Sequence, residues 1–221
     1  MKLRAFIVLA LVLAGLQVRN SLAVSVYDNF GAGDTYDTGA GWAVTGPSSI
    51  LGSGFNYEAA MRFVPNEKYS FVSADLAVSL DSGTNSLDVT LAADNSGAPG
   101  AAIETFHFDN AMGAFGDANP PLQADSVTHP TLDSGVTYWL VASATGDTYA
   151  IWNDSLSDTS GAASQNLSDG LGWSFYPGET TGAFRITAVP EPASLGLFGA
   201  GMLAAIGLHL ARKRRSAKLS D

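Results

Sequence analysis

The chain has 221 residues, 46% of them apolar, a formal charge of −10 and no cysteine. That length holds one ordinary domain with room for targeting segments at both ends, and the apolar fraction suffices for a core, which argues against whole-chain disorder. The missing thiol excludes a disulfide framework, a cysteine nucleophile and zinc–thiolate ligation.

The charge is unevenly placed. Eight of the eleven basic residues lie at the two ends, and between Val24 and Ala188 nineteen acidic side chains face only Arg62, Lys68 and Arg185, a net of −16. A body of that sign repels nucleic acid and anionic lipid, so no nucleic-acid partner is expected.

In chain order, Met1-Lys2-Leu3-Arg4 is a basic start, Ala5 to Leu16 an apolar run, and Ser21-Leu22-Ala23 a small-residue cleavage site. Residues 1–23 therefore read as a signal peptide that signal peptidase cuts after Ala23. The apolar run would span about 18 Å as a helix, well short of the roughly 30 Å of a bilayer core, which argues against a permanent anchor.

Residues 24–188 alternate apolar and polar side chains in short runs separated by Gly, Asn, Asp, Ser and Pro, with little helical periodicity. Strands are predicted at Ser25–Asp28, Trp42–Thr45, Ala59–Val64, Phe71–Leu80, Leu87–Ala93, Ile103–Phe108, Asp125–Thr128, Val136–Ser143, Thr148–Asn153, Leu171–Phe175 and Phe184–Ala188. "VTYWLVASATGDTYAIW" reads as a hairpin turning at Thr145-Gly146-Asp147. Apolar residues on both faces of its first strand predict a central place in a sheet covered on both sides. The expected fold is all-β: a two-sheet antiparallel sandwich, jelly-roll-like, in a single domain.

Chemistry is sparse in this body. His107 and His129 are its only histidines, and no Gly-x-Ser-x-Gly elbow occurs, so neither a serine triad nor a multi-imidazole metal site is expected. Glu58, Glu104 and Glu179 are the better placed carboxylates for a glycan-active hydrolase. Most other acids sit in turns, where Asp bonds its own backbone. Clustered loop oxygens suit a hard cation, making Asp28, Asp34 and Asp37, with Asp94 and Asn95 as a second group, the candidates for structural calcium; no other cofactor is expected. Trp42, Trp152 and Trp173 are the candidate platforms for a glycan, although aromatics at strand spacing more often fill cores.

The tail begins with Val189-Pro190-Glu191-Pro192. Two prolines around one residue favour an extended segment poor in hydrogen bonds, which a peptidase can grip; a simple helix-start proline accounts for the same residues. Ala193 to Ala211 follows, nineteen uncharged residues rich in Leu, Ala and Gly, spanning about 28 Å as a transmembrane helix. Arg212-Lys213-Arg214-Arg215 then closes the span on the cytoplasmic side, leaving residues 24–188 on the far face of the membrane.

Pro190-Glu191-Pro192, the apolar helix and the terminal basic cluster together resemble the PEP-CTERM sorting signal of Gram-negative, exopolysaccharide-making bacteria. The resemblance implies recognition by an exosortase, a membrane-embedded cysteine peptidase that cuts near the motif and passes the protein to the cell surface or matrix. The series "AMRFVPNEKYSFVSADLAVSL", "LDVTLAADNSGAPGAAIETFHF" and "TYWLVASATGDTYAIW", with its polar loop from Asp94 to Gly100, resembles the choice-of-anchor R family of exported β-domains. That likeness implies no catalytic residues. The sequence thus leads to a non-catalytic exported protein with residues 189–215 as sorting signal. A carbohydrate-binding module for exopolysaccharide and a glycan-active hydrolase are the alternatives.

Overall fold

The computed structural model describes residues 22–51, 56–156, 162–167 and 172–191. The expected signal peptide up to Ser21, the helix 193–211, the basic cluster 212–215 and Pro192 lie outside the described residues. Among the described residues there is no helix, and therefore none long and apolar enough to cross a membrane.

The unit Leu22–Pro190 is built from antiparallel strands, in chain order β1 (Val24–Asp28), β2 (Gly41–Thr45), β3 (Tyr57–Phe63), β4 (Tyr69–Leu76), β5 (Val78–Ser82), β6 (Ser86–Asp94) and β7 (Pro99–Asp109). They continue as β8 (Leu122–Asp125), β9 (Thr131–Leu132), β10 (Tyr138–Ala144), β11 (Tyr149–Asn153), β12 (Ala162–Leu167), β13 (Trp173–Pro177) and β14 (Phe184–Pro190). The smaller sheet has the order β1-β14-β4-β8, with β9 also on β4; the larger runs β5-β11-β2-β3-β10-β6-β7, with β12 beside β3 and β13 on β12. Taking β1, β3, β4, β6, β7, β8, β10 and β14 alone, the first strand pairs with the last, the last with the third and the third with the sixth. The second, seventh, fourth and fifth form the facing row. That is the double Greek-key order of a jelly roll, so the expected two-sheet antiparallel sandwich is observed.

Alternation decides which side chains enter the core. Ala59, Met61 and Phe63 of β3, Leu87, Val89 and Leu91 of β6 and Phe184, Ile186 and Ala188 of β14 are buried between the sheets. Each such large side chain contributes about 1.5–3 kcal/mol through burial. The opposite face of the larger sheet is covered too: Ala60, Ala92, Trp139 and Val141 form a second buried cluster under Trp173 of β13. β10 lies between β3 and β6 with both faces closed, as its doubly apolar sequence predicts.

Three expectations are corrected. β10 and β11 are not a hairpin, because each already has both edges occupied: β10 by β3 and β6, β11 by β2 and β5. The run Phe71–Leu80 is two strands in different sheets. At Ala77 the chain crosses, its amide donating to Ala183 O (3.0 Å) and its carbonyl accepting from Asn153 (2.8 Å). Residues 126–128 are a turn after β8, tied by Glu104 as described below. The turn expected in the polar loop is a two-residue hairpin: Asn95 and Ala98 exchange backbone hydrogen bonds across Ser96 (φ 57°) and Gly97 (φ 89°), both left-handed.

Candidate functional site

A concavity that combines aromatic and ionisable side chains opens where β2, the end of β11 and the β13–β14 loop meet. Gly41, Trp42, Asp154, Glu179 and Thr180 line a cleft of about 230 Å³. The ladder fixes its geometry. Trp42 stands opposite Trp152 in the β2–β11 pair, and Asp154 follows directly, bridged to Gly182. Gly182 has to be glycine here, since a Cβ would lie 2.5 Å from the Trp152 ring. The Trp42 indole is held by a hydrogen bond from its Nε1 to Thr180 O (2.8 Å) and by the Tyr176 ring, 5.4 Å away at 60°. The Asp154 backbone is tied on both sides, its carbonyl accepting from Asp37 N (2.8 Å) and its amide donating to Ala40 O (3.0 Å).

The Asp154 carboxyl is less well served. Its Oδ1 is buried without a hydrogen-bond partner among the described residues. Burial first, then the negative charges of Asp37 and Glu179, push its pKa up to about 6. The cleft therefore offers a half-buried aromatic ring beside one carboxyl that is neutral in mild acid and a second acid, Glu179. Such a surface suits the apolar face and hydroxyls of a sugar ring, or an ammonium group.

The structure brings some of the sequence candidates together and separates others. Asp28 and Asp34 do converge, but on Arg185 of β14, whose Nε donates to Asp28 Oδ2 (2.8 Å) and whose Nη2 donates to Asp34; Asp75 Oδ2 stands 3.6 Å from Nη1. The guanidinium also lies over the Phe30 ring, 5.3 Å from its centroid. Asp37 belongs to the cleft side, its Oδ1 accepting from Gly39 N at 2.9 Å. Asp94 accepts from Trp139 Nε1 (2.8 Å) and Gly97 N (3.1 Å), so with Asn95 it builds the hairpin turn. Among the described residues no group of three or more His, Asp or Glu is arranged to hold a metal.

Of the tryptophans, Trp42 lines the cleft, Trp173 covers the outer cluster, and Trp152 is fully buried with Nε1 bonded to Ala183 O (3.0 Å), which leaves it no face for a sugar. Glu104 is structural. Burial opposes its ionisation but is outweighed by hydrogen bonds from the Ser126 hydroxyl (2.7 Å) and the Val127 and Thr128 amides, holding its pKa below the ordinary value. Glu58 accepts from Asn166 Nδ2 at 3.0 Å. His129 contacts Phe71 O through Nδ1 (3.0 Å) in a turn, and exposed His107 sits between Asp88 and Asp109, whose hydrogen bonds raise its pKa. Sequence reasoning missed Asp154, Thr180 and the Arg185 cluster. An acid directly after a strand whose neighbours are Trp and Asn was the only available signal for the first.

The second functional element is the end of β14. Ala188 is fully buried and paired with Val24 on one side and Phe71 on the other; Val189 and Pro190 continue the ladder against Ser70 and Tyr69. Glu191 follows, half-buried. Residues 188–215 match the sequence profile of the PEP-CTERM protein-sorting motif. A signal of this class marks an exported protein, held at the membrane before an exosortase processes it. No curated protein and no solved structure matches the chain.

Because the Asp154 pKa is raised in the fold, ionisation works against the native state: its neutral form is fully tolerated below about pH 4, and stability is lost as pH rises toward and past about 6. Asp154→Asn should therefore raise Tm near pH 8 and leave it unchanged near pH 4. Thermal melts of both proteins across that range check this, and an equal shift at every pH would contradict the assigned environment.

Proposed function

We propose that this is a non-catalytic protein of the cell surface or extracellular matrix of a Gram-negative, exopolysaccharide-making bacterium. Its jelly-roll body is the cargo. Signal peptidase removes residues 1–23, the segment 193–211 holds the precursor in the inner membrane with Arg212, Lys213, Arg214 and Arg215 in the cytoplasm, and an exosortase acting at Pro190-Glu191-Pro192 releases the domain to the envelope. The observation that carries this reading is the sorting motif's direct continuation from β14. Kinship with the choice-of-anchor R domains belongs to the same proposal and rests on the strand motifs of the body. The absence of a serine elbow and the structural engagement of Glu104 support the non-catalytic reading. Removing Pro190 to Pro192 should leave an uncut precursor in the inner membrane, followed by fractionation and immunoblotting; unchanged surface display would refute the assignment.

A second reading has one specific observation in its favour: Trp42, packed on Tyr176, lies beside Asp154 and Glu179 in the cleft. We infer that the cleft binds a glycan as a module of the exopolysaccharide matrix. The −16 body disfavours a polyanion, so the ligand is a neutral or amine-bearing sugar. Stacking on an aromatic ring is worth about 0.5–1.5 kcal/mol beyond area burial. Trp42→Ala should accordingly weaken retention on neutral polysaccharide by about twofold to tenfold in co-sedimentation while the fold is kept. Retention equal to the unsubstituted protein would rule the cleft out, and release of reducing ends would point instead to a glycan-active hydrolase.

A further inference from the structure

The profile of the sorting motif starts at residue 188, whereas β14 ends at Pro190. Three residues of the motif are thus part of the folded sheet. We infer that the sheet sets the N-terminal limit of exosortase processing: the scissile bond lies C-terminal to Glu191, and the mature protein keeps all of β14. This rests on the exosortase reading and adds where on the substrate the enzyme can act.

A peptidase takes its substrate as an extended chain whose backbone groups are free to pair with the enzyme. Residues already engaged in a ladder cannot offer them. Ala188 is paired on both sides and fully buried, and Val189 and Pro190 are paired with Ser70 and Tyr69. Pro190 stands beyond the last β1 partner, since β1 reaches only Val24 opposite Ala188. A proline without N–H is tolerated where one edge has no strand to receive it. The first carbonyl of the motif outside the ladder is therefore that of Glu191.

Cutting earlier would require β14 to peel from β4, drawing Ala188 out of the core that it shares with Ile186 and Phe184. The other end of the domain is built differently. Leu22 is 80% exposed and Ala23 is exposed, both ahead of β1, so the residues on the N-terminal side of the Ala23–Val24 bond lie outside the ladder that Val24 begins. Because Val24 and Ala188 are register partners, both junctions leave the same end of the β1–β14 pair. The ladder begins only after Ala23 at the first junction and ends only at Pro190 at the second.

Two measurements on the full-length protein in its native host test this. The intact mass of the surface-displayed form reads its C-terminal residue directly, with Glu191 or a later residue expected. A C-terminus at Pro190 or earlier would overturn the inference. In the second, Ser70→Cys with Val189→Cys staples β14 to β4. Facing antiparallel residues have Cα atoms about 4.5–5.5 Å apart, within disulfide reach, and the chain has no other cysteine. Processing of the oxidised variant to the same terminus is expected, whereas a block that reduction relieves would show that β14 has to peel and would also overturn it. A displayed protein still carrying residues 212–221 would instead refute the exosortase reading itself.

Discussion

β14 is the strand on which the rest of the structure depends. It lies between β1 and β4, the first strand and the third of the jelly-roll order, and so closes the smaller sheet with the last segment of the domain. Its alternating side chains do two jobs. Phe184, Ile186 and Ala188 enter the inter-sheet core, Phe184 stacking on Tyr27 at 4.4 Å and meeting Trp152 edge-on at 6.0 Å. Arg185, facing the other way, gathers Asp28 and Asp34 from the N-terminal region and lies near Asp75 of β4. Pairings that span more than 150 residues of sequence are thereby made by seven residues at the end of the domain, so the fold is complete only when β14 is in place.

The same strand explains how so acidic a body stays folded. One guanidinium serves three carboxylates; burial raises the Asp75 pKa against the lowering effect of Arg185, and the Arg185 pKa is raised by its bonds to Asp34 and Asp28. Removing one partner of such a half-buried cluster leaves uncompensated charge, which is more costly than the cluster is stabilising. Elsewhere the acids are taken up by turns: Asp94 on Gly97, Asp147 on Thr84, Glu104 on Val127 and Thr128. Asp154 stands apart from this pattern, because its Oδ1 has no such partner among the described residues and it lines the cleft beside Trp42. Among the described residues, Asp154 Oδ1 is the buried side-chain polar atom left without a partner, and this sets the cleft apart from the turns.

Much of this was legible in the sequence because burial imposes period-two patterning. The strand predicted over Val136–Ser143, apolar on both faces, is the central β10 covered on both sides, and the resemblance of the tail to a sorting signal is matched over residues 188–215. Pairing partners were not legible. The Thr145-Gly146-Asp147 turn has hairpin chemistry, yet the strands on either side find other neighbours, since edge occupancy is decided by β2, β3, β5 and β6, all distant in sequence. The crossing at Ala77 is invisible for a related reason: alternation continues unbroken when a strand leaves one sheet for the other. Of Asp28, Asp34 and Asp37, grouped by the sequence as candidates for calcium, Asp28 and Asp34 meet Arg185, more than 150 residues further along, while Asp37 accepts from Gly39. Short-range spacing cannot reveal a long-range counter-ion.

The central claim is that β14 stays paired with β4, through a register shift after Thr187, into the sorting motif. Amide hydrogen exchange of the full-length chain, read on peptides covering residues 184–189, tests it most directly. The account predicts that these amides exchange only with global unfolding, as slowly as those of β4 beside them. Exchange at the rate of exposed loops, with β4 still protected, would mean that β14 frays before the motif and would contradict it.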